Sequence, residues 1–222
     1  MPKVTEEFLL ARREEIIDAC AQLYETMSFK EITLKEIGKA TSFNRTSIYN
    51  CFDTKEEIFL ALMQREYELW VKELDALRES QESMTRDGLA DALARSLENR
   101  ERLLKLLSMN HFDMEENSRH ENLVKFKRAY GSSIQAVKQC LDKFCPDMTE
   151  KEKQEFLYAC FPFIYGIYPY AVVSEKQKKA REEAGVEFVY HSVYEITFHC
   201  LRKLLGTDRA EKNRDSMYTR VR

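Results

Sequence analysis

The chain has 222 residues, with 35 Lys and Arg against 38 Asp and Glu, a formal net charge of −3. That balance excludes a nonspecific nucleic-acid coat, which depends on a large basic surplus, and the length allows one large or two small domains. The six cysteines include no CxxC pair and no Cys/His cluster at zinc spacing, so neither a metal nor a cofactor is expected.

The opening MPKVTEEF lacks the apolar core of a signal peptide, which points to the cytoplasm. The spacing of Ile16, Cys20, Leu23 and Met27 predicts a first helix over 5–27. Residues 32–59, ITLKEIGKATSFNRTSIYNCFDTKEEIF, then read as two short helices across a tight turn, followed by a third. Thr33 with Glu36 makes a capping box, and Leu34, Ile37 and Ala40 share one face. After the turn Thr41-Ser42-Phe43, Asn44 is the expected N-cap of the second short helix. Ile48 and Phe52 form its inward face, leaving Arg45, Thr46, Ser47, Tyr49 and Asn50 outward. Thr54 with Glu57 is a second capping box that starts the third helix. A short exposed helix of polar, basic and aromatic residues, braced across a tight turn, suits the DNA major groove. Between residues 33 and 55 the basic surplus is only two, so tight binding calls for two copies side by side.

A long helix is predicted over 54–79, with Ile58, Leu62, Leu69 and Trp70 inward, and 80–88 is a polar connection. Helical patterns resume at 89–98, 100–109 and 119–144, the last stopped by Pro146. Thr149 with Glu152 caps the next helix, expected to run to about 180. It contains FLYACFPFIYGIYPYAVV (156–173), 18 uncharged residues at the lower edge of a membrane span. Its tyrosines are scattered rather than terminal and its flanks are charge-dense, so a buried helix bent at Pro162, Gly166 and Pro169 is expected, with no membrane partner. Gly185 separates it from a final helix. Val189, Val193, Ile196, Cys200 and Leu204 form one stripe there, and Tyr190, Tyr194, Phe198, Leu201 and Leu205 a second. A helix apolar on two sides has surplus surface, and the stripes of 150–180 and 187–205 suggest pairing with a second copy. No strand pattern or internal repeat is sustained, and the tail 207–222 has too little apolar content to pack.

The residues 33–55 resemble the DNA-binding pattern of the tetracycline-repressor family of transcriptional regulators. Thr33, Ile37, Ala40, Tyr49, Phe52 and Lys55 stand in the family's places, with Phe43 at the usual Val and Asn44 at the usual Ser cap. Two positions depart from it. Gly38 replaces a small Ala, and Ser42 replaces the turn glycine, which raises the question of backbone strain. The resemblance covers 5–75 and beyond that is one of helical layout. It implies an all-α fold: a helix-turn-helix DNA-binding domain over 1–53, a connecting helix over 54–79, a helical effector-binding and dimerisation domain over 80–206, and a flexible tail over 207–222. It also implies double-stranded operator DNA, a second copy of the chain and a small-molecule effector as partners. Arg45 would reach guanine edges, and Thr46, Ser47 and Asn50 other base edges; Thr33, Tyr49 and Lys55 would hold phosphates. The effector, pulling on the helix after Lys55, would be small and apolar or aromatic. Its candidate lining is Met109, His111, Phe112, Phe126, Tyr130, Tyr165 and Tyr168.

Two other classes stay open from the residues alone. A helical protein–protein adaptor fits the composition but leaves the outward polar set 45–50 without a purpose. A redox-responsive regulator would sense through Cys140, Cys145 or Cys51, against buried small hydrophobes as the plainer reading of all six. No hydrolase, kinase or nucleotide-binding motif is present, so no catalytic residue is assigned.

Overall fold

A computed structural model describes residues 6–43, 45–109 and 111–206; the tail read above lies outside them. Among the described residues there are eleven helices and no strand. They fall into two compact units, Met1–Tyr67 with Met109–Gly131, and Glu68–Ser108 with Ser132–Arg222.

The first unit holds α1 (Glu6–Thr26), α2 (Leu34–Lys39), α3 (Arg45–Ile48), the first half of α4 (Lys55–Ser80), α7 (His111–Glu116) and the start of α8 (His120–Phe144). Of the predicted inward residues, Ile16 and Cys20 of α1, Ile37 of α2, Ile48 and Phe52 around α3, and Ile58 and Leu62 of α4 are buried, Leu23, Met27 and Leu34 are half-buried, and Ala40, at the end of α2 where the chain leaves the helix, is exposed. The Phe59 ring meets Tyr24 and Phe29 edge to face at 5.2 and 4.8 Å. The segment 111–116, between the helical stretches predicted at 100–109 and 119–144, is itself a short helix.

Glu57 departs from its expected part in a capping box. The Thr54 hydroxyl does accept the Glu57 N–H at 3.2 Å. The Glu57 carboxylate, however, accepts the Asp53 N–H at 2.8 Å and the Arg119 guanidinium at 2.7 and 2.8 Å, and the residue is fully buried. Burial pushes its carboxyl up, but Arg119 and the two backbone N–H groups of Asp53 and Arg119 win, holding it at about 2.

The second unit holds the rest of α4 and α8 with α5 (Arg86–Glu98), α6 (Glu101–Leu107), α9 (Glu150–Ala171), α10 (Glu175–Glu183) and α11 (Val193–Leu205). Trp70 is buried, donates its indole N–H to the Ser96 hydroxyl at 3.0 Å and lies 6.1 Å from the Phe161 ring. Leu69, expected inside, is 37 % exposed. Buried Arg86 binds the Leu205 carbonyl at the end of α11 and Asp147 at 2.8 Å, closing three segments on one cation.

The Thr149–Glu152 capping box forms as expected. The helix it starts does not reach 180. It passes through Pro162 and Pro169, ends at Ala171, and the chain turns by 84° into α10. Pro169 removes one N–H from the last turn, and Ser174 with Gln177 restarts the backbone as a new capping box. No single helix among the described residues is long and apolar enough to cross a membrane. The final helix is also shorter than its stripes suggest. Ser192 and Glu195 cap it at Val193, so Val189 and Tyr190 precede it and are exposed, while Thr197, Leu201 and Leu205 face inward.

Candidate nucleic-acid interface

Thr33 caps α2, accepting the Glu36 N–H at 3.3 Å. The Glu36 carboxylate returns to the Thr33 hydroxyl and takes Lys39 at 3.3 Å, and these two contacts hold its carboxyl below the usual range. The turn that follows is not strained at Ser42: among the described residues only Gly185 and Gly206 have positive φ. Glu15 of α1 instead accepts both the Ser42 N–H and its hydroxyl, the latter at 3.1 Å. Serine thus contributes a side-chain contact that glycine lacks.

Helix α3 is a single turn, continued by Cys51 and Phe52 N–H bonds to the Ile48 carbonyl at 2.8 and 2.9 Å. Ile48 and Phe52 are buried beneath it. Thr46, Tyr49 and Asn50 are exposed and Ser47 half-buried. Asn44 and the Arg45 side chain lie outside the described residues.

Beside this turn, Thr33, Leu34 and Lys35 of the α2 start face Thr54, Lys55 and Glu56 of the α4 start across a groove of about 460 Å³. Lys55 is already engaged: its ammonium donates to the Phe29 and Ile32 carbonyls at 2.7 and 3.2 Å and lies 4.1 Å from the Phe29 ring centre. Thr54 donates its hydroxyl to the Asn117 carbonyl at 2.9 Å. Two cations that the sequence reading missed stand nearby. Arg12 of α1 lies over Phe8 at 4.2 Å and Phe43 at 5.2 Å, and Arg13 over Phe52 at 4.4 Å. The adjacent arginines one turn before Ile16, on the face of its stripe, were the available signal.

The effector candidates scatter. Phe126 is buried and lies 6.2 Å from Tyr67, whose ring also meets half-buried Tyr130 at 5.7 Å. Phe112 is 79 % exposed, unlike a pocket wall. Met109 lines a groove with Ser28, Phe29, Lys30, Asp113 and Met114. The His111 side chain is outside the described residues. Tyr165 and Tyr168 belong to α9 in the other unit, both half-buried; burial and the charge of Glu101 push the Tyr168 hydroxyl up.

The cysteines read as packing. Burial pushes the Cys20 and Cys160 thiols to about 12 and Cys140 to about 11, and raises Cys51 and Cys200 as well. Such thiols hold little thiolate near neutral pH, the form that oxidants attack.

Comparison with known proteins agrees with this geometry. Residues 16–62 match the bacterial regulatory proteins of the tetR family, and residues 64–190 match the tetracyclin repressor-like C-terminal domain. An HTH-type transcriptional repressor of Mycobacterium tuberculosis is 32% identical over 68 residues, 31% of this chain and 36% of the relative. An uncharacterised HTH-type transcriptional regulator of Bacillus subtilis is 29% identical over 80 residues, 36% of this chain and 39% of the relative. The chain thus spans well under half the length of these curated relatives. Among solved structures, Salmonella enterica GusR is 19% identical with a TM-score of 0.54, covering 91% of this chain and 98% of that one. Thermus thermophilus FadR, a TetR-family repressor in complex with lauroyl-CoA, is 17% identical with a TM-score of 0.53, covering 87% and 93%. At these identities the likeness is one of fold. With its two matches together spanning the helix-turn-helix and most of the remaining helices, the chain belongs to the tetracycline-repressor family.

Proposed function

We propose that the protein is a dimeric, sequence-specific DNA-binding transcriptional regulator, a repressor released from its operator by a small apolar or aromatic effector. The observation that carries this is the exposed set Thr46, Tyr49 and Asn50, held outward by buried Ile48 and Phe52 on a turn pinned to α1 through Ser42. Thr46 and Asn50, with Ser47 and Arg45, read base edges, Tyr49 holds a phosphate, and the groove of Thr33, Lys35 and the first turn of α4 receives another. Lys55 contributes from its station on the Phe29 and Ile32 carbonyls, and so acts as much by fixing the start of α4 as by its charge.

Pairing of two copies supplies the second half-site. An apolar groove of about 460 Å³ in the second unit, with Phe163, Ile167 and Tyr170 of α9 against Val189 and Ile196, supports that pairing. Gel retardation with the DNA flanking the native gene tests the whole reading. Retention of that fragment and not of unrelated duplex is the expected result; a protein-only adaptor retains neither.

A further inference from the structure

We propose that Arg12 anchors a backbone phosphate of the bound duplex, its guanidinium clamped between Phe8 of α1 and Phe43 of the turn before α3. The proposal rests on the regulator reading above and adds α1 to the elements that touch DNA.

Residues 8, 12 and 16 are four apart and so share one face of α1. At Ile16 that face is buried in the core of the first unit. One turn earlier it carries Arg12, half-buried, and one turn earlier again Phe8, 46 % exposed. A cation that has lost part of its water shell on a core-facing stripe calls for an anion. Arg12 makes no ion pair among the described residues. The acids that follow it on α1 are spent elsewhere, Glu15 on Ser42, and Glu14 and Asp18 on Arg65 at 3.6 and 2.5 Å. Residues 1–5 and 44–45, which border the clamp in sequence, contain no acid.

What holds Arg12 is aromatic. Its guanidinium carbon lies 4.2 Å from the Phe8 ring centre and 5.2 Å from that of Phe43. Ring faces stabilise the charge and leave the N–H donors, which pair with phosphate oxygens, without an oxygen acceptor. The clamp also fixes where those donors stand. Phe43 directly precedes the residues that open α3, and Ser42 is pinned to Glu15, one turn along α1 from Arg12. A helix lying in the major groove has phosphates along its flanks, and contacts to them set register without reading sequence. The first-turn acids Glu6 and Glu7 stand about 120–140° round the helix from Arg12, off its face. Arg13 differs: it lies over the buried Phe52 ring at 4.4 Å and serves packing. A valine at 43, as in the family pattern, offers no ring to the cation, so the clamp belongs to this chain.

The test is anisotropy with the full-length protein, on the duplex flanking the native gene and on an unrelated duplex of equal length, over a range of salt. Arg12→Gln, which keeps a flat polar end without the charge, should weaken both duplexes alike by about fivefold to tenfold and lower the salt slope by about one. Phe43→Val and Phe8→Ala should each weaken both duplexes about two- to threefold, and neither should matter once Arg12→Gln is present, because both act through Arg12. Phe8 is exposed, so its variant carries the clamp test should Phe43→Val not fold. Lys179→Ala, exposed on α10 in the other unit, should change nothing. An unmoved salt slope in Arg12→Gln, or ring substitutions whose effects persist undiminished beside it, overturns the proposal while the regulator reading stands. Equal affinity of the wild-type protein for the two duplexes would overturn sequence-specific reading and leave the Arg12 slope measurable on both. Binding of neither duplex would overturn both readings together.

Discussion

Glu57 shows how one side chain can be predicted to cap a helix and be used for something larger. Its carboxyl is held at about 2 by Arg119, against an unfolded value near 4.3. A depressed carboxylate stabilises the folded state above its unfolded pKa, and that contribution is lost as pH falls from about 4.5 towards 2. Its full size is on the order of 3 kcal/mol. Arg119→Ala should therefore lower stability at pH 7 by about 2–4 kcal/mol, leaving a buried carboxylate with its backbone N–H partners but without its cation, and should flatten the acid limb of stability against pH. Urea unfolding at several pH values measures both; an unchanged acid limb would contradict the role given to this pair. Ser42 makes a second residue-scale case. If its Cβ were tolerated under strain, Ser42→Gly would stabilise the turn. With Glu15 on its hydroxyl and no positive φ, the same change should cost about 1 kcal/mol.

At the scale of elements, legibility followed the local code. Thr33 and Thr149 are visible as caps because capping needs only a hydroxyl three residues from a carboxylate, and both cap in the structure. Ile16, Cys20, Ile37, Ile48, Ile58 and Leu62 are buried where periodicity puts them, whereas Ala40, given the same face as Ile37, is exposed. The failures arose where tertiary contacts decided. Glu57 was claimed by Arg119, 62 residues away. Leu69 fell on an exposed face although its spacing matched the core. The segment 111–116 formed a turn of helix, its backbone continued by bonds such as Asn117 N–H to the Asp113 carbonyl at 3.2 Å. The effector lining was the least legible, since aromatic residues at helical spacing pack in any core, as Phe126 does against Tyr67. Arg86, read only as part of a polar connection, joins α5 to the end of α11 and to Asp147. Arg86→Ala should cost about 2–4 kcal/mol because it strands a buried carbonyl and a carboxylate, measurable as a fall in urea midpoint at unchanged slope.

At the scale of the whole molecule the proposed regulator needs two copies and a switch between arrangements. Leu201 is buried within one chain, so charge there would unfold the protein rather than separate subunits. Ile196, half-buried in the apolar groove of α9 and α11, is the better probe. Ile196→Asp should sediment as a monomer that keeps its helical circular dichroism, whereas a wild-type monomer at micromolar concentration would contradict the dimer. An effector coupled to DNA by about 1–3 kcal/mol changes operator affinity roughly 5–150-fold, and operator must weaken effector binding by the same factor. The most direct measurement is anisotropy of a labelled duplex from the DNA flanking the native gene, titrated over a range of salt against an unrelated duplex of equal length. The expected preference is about 10³-fold or more. Asn50→Ala should erode that preference by about 1–3 kcal/mol at particular base pairs, and Lys35→Ala should weaken both duplexes alike and lower the salt slope by about one. Equal affinity of the wild-type protein for the two duplexes, or an Asn50→Ala variant with undiminished preference among operator variants, would contradict base reading by the turn that follows Ser42.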